Sequence, residues 1–123
     1  MESQVIQKVF NNVSVYLPSG WKKFALYIAF SGNTSFHKFY VDTGNGYVDC
    51  FHLGYDKPTL RNIFISIEDI LLEERQKLPQ KKTWNIFTMF VYGTGKFEIN
   101  FGYEDVSDTF LEHHQKWEND FII

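Results

Sequence analysis

Between Trp84 and Tyr103 the chain reads as two strands joined by Gly93-Thr94-Gly95, and this stretch limits the fold more than any other. In its second half, Phe97, Ile99, Phe101 and Tyr103 alternate with Lys96, Glu98, Asn100 and Gly102, the period of a half-buried strand. So short a glycine loop makes the two strands antiparallel neighbours. The same period appears earlier. Phe24, Leu26, Ile28 and Phe30 alternate with Lys23, Ala25, Tyr27 and Ala29, and a second strand covers Phe36 to Val41. A shorter strand from Tyr47 to Leu53 follows Thr43-Gly44-Asn45-Gly46. With 19% aromatic residues, including thirteen phenylalanines, a core rich in sheet is expected.

Three segments carry the helical period instead. Val5, Ile6, Val9, Phe10, Val13, Tyr16 and Leu17 recur at spacings of three and four before Pro18-Ser19-Gly20. Pro58-Thr59 opens a second helix, with Leu60, Ile63, Phe64, Ile67, Ile70, Leu71 and Leu78 on its apolar stripe. A third is predicted over Val106 to Asp120, with Ser107 as N-cap and Asp108 in its first turn. The order is α-β-β-β-α-β-β-α, so the predicted class is α+β: an antiparallel sheet of about five strands packed with helices. At 123 residues the chain has room for one domain, spanning 1–123, and enough buried surface for a core without cross-links.

The one cysteine, Cys50, excludes an internal disulfide. Met1-Glu2-Ser3-Gln4 lacks the basic start and apolar core of a signal peptide. The longest apolar run, Phe24 to Phe30, falls far below the roughly 20 residues of a membrane helix. A cytoplasmic protein that does not enter the membrane is expected.

Candidate chemistry is sparse. Cys50 and His52, two apart on a predicted strand, share a face but have no third group to orient them. His113 and His114 are adjacent in a predicted helix, so their rings diverge by about 100° and do not share a metal unaided. His37 has no carboxylate close in sequence, and all of these read as surface histidines. The two glycine-rich loops lack the lysine and hydroxyl of a phosphate-binding loop. Neither catalysis nor a cofactor is expected.

Charge is more informative. The net charge is −3, and the acidity lies at one end: residues 83–123 hold two lysines against seven carboxylates. Glu104, Asp105, Asp108 and Glu112 crowd into nine residues flanked by Tyr103, Phe110 and Trp117. Part of this pattern is ordinary complementation of a helix dipole. The rest describes an acidic patch with aromatic anchors, suited to a basic protein partner, with Asp108 and Glu112 on one helix face. The alternative is a small nucleic-acid-binding or general protein-interaction module with an aromatic-rich sheet, since aromatics on a sheet stack bases. The strands carry no basic stripe to support it.

Trp84-Asn85-Ile86-Phe87-Thr88, then Gly95-Lys96-Phe97-Glu98-Ile99-Asn100-Phe101, Tyr103-Glu104-Asp105 and the late Trp117-Glu118 resemble the YezG-like immunity proteins of bacterial polymorphic toxin systems. Trp21, following an amphipathic helix and Pro18, is similar to that family's start. The resemblance implies an immunity protein, or antitoxin, of a contact-dependent growth inhibition system. Such a protein binds a cognate toxin domain, commonly a nuclease with a basic surface, and blocks it without turnover, cofactor or direct nucleic-acid contact. It also implies partner-binding roles for Tyr103, Glu104 and Asp105, joined by Glu98, which alternates away from the Phe97/Ile99/Phe101 face toward solvent. A monomer or weak dimer is expected.

Overall fold

Tyr27 explains much of the architecture. It is fully buried at the centre of strand β1 (Lys23–Ser31), between Ala25 and Ala29, while Phe24, Leu26, Ile28 and Phe30 point the other way. Both faces of β1 are therefore inside the protein. The computed structural model describes residues 1–123 and places β1 in the middle of a five-stranded antiparallel sheet. Its other strands are β2 (Thr34–Asp42), β3 (Tyr47–Asp49), β4 (Ile86–Tyr92) and β5 (Phe97–Gly102), in the order β3-β2-β1-β4-β5. Ile28 is paired with His37 on one side and with Phe87 on the other.

The larger core lies on the face of Phe24, Leu26 and Ile28. Helix α1 (Ser3–Ser14) adds Val9, Phe10 and Val13, and helix α2 (Lys57–Gln76) adds Ile63, Phe64, Ile67 and Leu71. Asp56 starts α2 by accepting the Thr59 N–H at 2.8 Å, ahead of Pro58 in the first turn, where its missing N–H is least costly. At the other end of α2, Arg75 lies over the Phe30 ring at 4.8 Å and donates to the Trp84 carbonyl at 2.9 Å.

Helix α3 (Phe110–Phe121) covers the opposite face. Trp117 packs on Tyr27 at 5.0 Å and on Tyr40 at 5.8 Å between ring centroids, and Val106 closes the cluster from the preceding turn. The small side chains of Ala25 and Ala29 leave the width that these rings occupy.

The α+β class and the order of helices and strands match the sequence reading, and the boundaries differ most at two elements. The third strand ends at Asp49 rather than continuing to Leu53. Asp49 turns its carboxylate back onto the Phe51 N–H at 2.8 Å and caps a short 3-10 turn over Cys50–His52, a local bond that replaces the ladder. The third helix starts at Phe110, not Val106, with Thr109 rather than Ser107 before it. Val106 is drawn into the core, and its carbonyl closes a turn with the Thr109 N–H at 3.1 Å. Asp108 thus precedes the helix, and the expected pairing of Asp108 with Glu112 on one helical face does not occur. No helix is long and apolar enough to cross a membrane.

Candidate functional site

The acidic segment is a turn held rigidly at both ends. Asn85, just before β4, donates its side-chain amide to the carbonyls of Tyr103 at 3.3 Å and Glu104 at 3.0 Å. Two residues on, Val106 is 1% exposed and anchors the turn in the core. Tyr103, Glu104, Asp105 and Asp108 are left exposed, and Glu112 follows, exposed in the first turn of α3. The Asp105 carboxylate accepts the Ser107 N–H at 2.9 Å, which holds its pKa below the usual range and keeps it charged. Carboxylates at the start of α3 are also favoured by the helix dipole.

Five of the six residues singled out from sequence are thus brought into one surface. Glu98 is not among them. It is exposed as expected, but at the far end of β5, where it accepts the Tyr92 hydroxyl at 3.3 Å and pairs with Lys96 at 3.3 Å. The aromatic anchors also change. Trp117, expected to flank the patch, is 7% exposed and belongs to the core. The apolar side chains actually open to solvent beside the acids are Tyr103 and Leu111, at 60% and 71%. The sequence reading missed Leu111, whose signal is its place off the Phe110–His114–Trp117 stripe that marks the inward face of α3.

His113 and His114 prove to be structural ties rather than surface groups. His113 accepts the Tyr27 hydroxyl at Nδ1, 2.7 Å away, and its Nε2 meets Glu104 at 2.9 Å. The ring thereby links the acidic turn to the central strand. His114 is buried, and its Nε2 lies 2.6 Å from the Tyr40 hydroxyl, which in turn donates to Glu118 at 2.6 Å. Lys38 completes the group at 3.3 Å from Glu118. Burial opposes ionisation of Glu118, yet the Tyr40 hydroxyl, Lys38 and His114 together hold its carboxyl below the usual range.

Burial also lowers the pKa of His114, against the pull of Glu118 and with help from Lys38 and His113. The folded state therefore favours neutral His114, and its ordinary value is 6.5. The stability from burying the neutral ring is fully present above that pH and is lost as pH falls below it. Thermal melts should show a flat Tm above neutrality and a decline below about pH 6.5, and His114→Gln should flatten that decline. A Tm unchanged from pH 7.5 to 5.5 in the native sequence would remove the role assigned to His114.

The remaining candidates fall apart in space. Cys50 is buried, and desolvation pushes its thiol up to about 11, far from a reactive thiolate. His52 turns away from it and pairs with Asp49 at 2.8 Å. His37 does find a carboxylate, Glu68 of α2 at 2.6 Å, with Ser35 donating to the same oxygen at 2.7 Å. That contact crosses from sheet to helix and had no trace in sequence spacing. No three His, Cys, Asp or Glu side chains converge as metal ligands. Most aromatic residues of both sheet faces pack into the two cores, which leaves little of the surface that base stacking would need.

Comparison with known proteins gives two matches. Residues 3–121 match the family described as "Immunity protein YezG-like". Immunity protein YezG of Bacillus spizizenii is 27% identical over 120 aligned residues, an alignment that takes in 89% of this chain and 73% of that protein.

Proposed function

Because the chain belongs to the YezG-like immunity protein family, we propose that its immunity role is carried out by the rigid acidic turn, which docks on the basic active-site surface of a cognate toxin. The observation that carries this reading is the presentation of Tyr103, Glu104, Asp105, Asp108 and Glu112. Their backbone is fixed by Asn85 and Val106 while their charges stay in water. Carboxylates held in place beside exposed Tyr103 and Leu111 resemble a phosphate backbone in charge and offer apolar anchorage as well. The acidic turn would match the phosphate-binding surface of a nuclease, the toxin class this reading assigns, and inhibition is occlusion in the cytoplasm without turnover or cofactor. Glu98 contributes to the long-range field rather than to the contact.

The test uses a candidate nuclease toxin domain paired with this chain. Asp108→Lys with Glu112→Lys is a clean variant, since neither side chain is tied into the hydrogen bonds that hold the turn. Its association rate with the toxin should fall about 10–100-fold at low salt, with the difference shrinking as salt rises. Cells producing the toxin should lose protection in proportion. An unchanged association rate would remove this interface. Failure of the unaltered protein to protect cells or bind the domain would remove the toxin assignment itself.

A further inference from the structure

The sheet has two edges, and only one is closed off. β3 has three residues before the chain curls into its 3-10 turn, too short to template another strand. β5 is paired without interruption from Phe97 to Gly102, with no proline and no bulge, and nothing lies beyond it in the sheet. Hydrogen bonds in an antiparallel ladder alternate. Tyr92 N–H donates to the Lys96 carbonyl at 2.9 Å, and the Thr88 hydroxyl reaches the Asn100 carbonyl at 3.5 Å, so Glu98, Asn100 and Gly102 spend their backbone groups on β4. The N–H and C=O of Phe97, Ile99 and Phe101 point outward.

We propose that this edge is a docking surface for a second copy of the same chain, the two β5 strands pairing antiparallel about a two-fold axis at Ile99. The residue order of β5 is what favours a second copy. Centred on Ile99, the pairing sets Phe97 against Phe101 of the other copy on both sides of the axis, two aromatic cross-strand pairs. Glu98 falls opposite Asn100 rather than another acid, and each Glu98 keeps its own Lys96 at 3.3 Å. Lys96 falls opposite Gly102 of the second copy, at the foot of that copy's Tyr103-Glu104-Asp105 turn, so opposite charges meet at both ends. Three outward residues pairing in this way add roughly six backbone hydrogen bonds and join two sheets into one. Such an interface is isologous and closes on itself, which limits it to a dimer.

The dimer needs no toxin, so its test is independent of the toxin reading. Sedimentation velocity on the full chain from about 10 µM to about 1 mM should show a monomer–dimer equilibrium. Residue-resolved amide exchange at the high end should slow Phe97, Ile99 and Phe101 and leave Glu98, Asn100 and Gly102, already bonded, at their monomer rates. Lys96→Glu changes an exposed side chain and puts like charges together at both ends; it should weaken dimerisation about tenfold, less at high salt. A chain that stays monomeric throughout overturns the proposal and leaves the edge free for a strand of another protein. A dimer without the alternating protection, or one indifferent to Lys96→Glu, places the contact elsewhere and overturns it equally.

Discussion

Trp117→Ala is expected to cost about 3–5 kcal/mol of stability and to free α3 before the rest of the protein unfolds. Trp117 is 7% exposed and is the main wedge between α3 and the sheet, with Tyr27, Tyr40 and Phe90 around it at 5.0, 5.8 and 5.9 Å. Its loss leaves a cavity that the small Ala25 and Ala29 do not fill. Most other ties of α3, among them the His113 and His114 bonds to Tyr27 and Tyr40, are polar and gain little once water reaches them, and Phe121 alone keeps a ring on Phe90, at 5.7 Å. Amide exchange should therefore accelerate in α3 and in the Tyr103–Thr109 turn well before it does in β1. Toxin binding should weaken with it, because Val106, the far anchor of the acidic turn, sits in the cluster that Trp117 holds together. A urea denaturation showing less than about 1 kcal/mol of loss would contradict this account of the second core.

Phe24→Ala is expected to cost a similar amount, about 3–5 kcal/mol, by a different route. Phe24 is fully buried in β1 and packs edge-on against Phe10 of α1 at 5.5 Å and beside Phe39 of β2 at 5.6 Å. It joins the middle of the sheet to a helix on the larger core, so no segment separates cleanly when it is removed. The loss should appear as a lower global unfolding free energy, with β1, β2 and α1 amides falling together and the α3 amides following the whole. If α1 alone lost protection while β1 kept its own, the larger core would not be the cooperative unit described here.

The contrast between these two residues also shows how far a sequence can be read. Phe24 was assigned correctly because alternation along a strand states which side chains share a face. The sequence pattern misplaces Trp117 as a surface anchor because periodicity does not state what a face is packed against. One sign of the second core was present, since Phe24 to Phe30 is apolar without interruption, as in strands buried on both sides. The acidic turn was legible as a cluster because its members are neighbours in the chain. Glu98 was joined to it through the family motif, but the straight run of β5 carries the two to opposite ends.

From its sequence alone, the chain's α+β class, the order of its elements, its antiparallel hairpins and its YezG-like character were determined, because each depends on residues close together in the chain. Tertiary structure alone decided that α3 closes the second face, that His113 and His114 bind tyrosines of β1 and β2, and that Val106 delays the start of the third helix. It also decided that β5 is left as the open edge. These outcomes depend on contacts between segments some 70 or more residues apart, such as Tyr27 with His113 and Tyr40 with His114. Local propensity carries no information about which distant surface will be there to meet a given face.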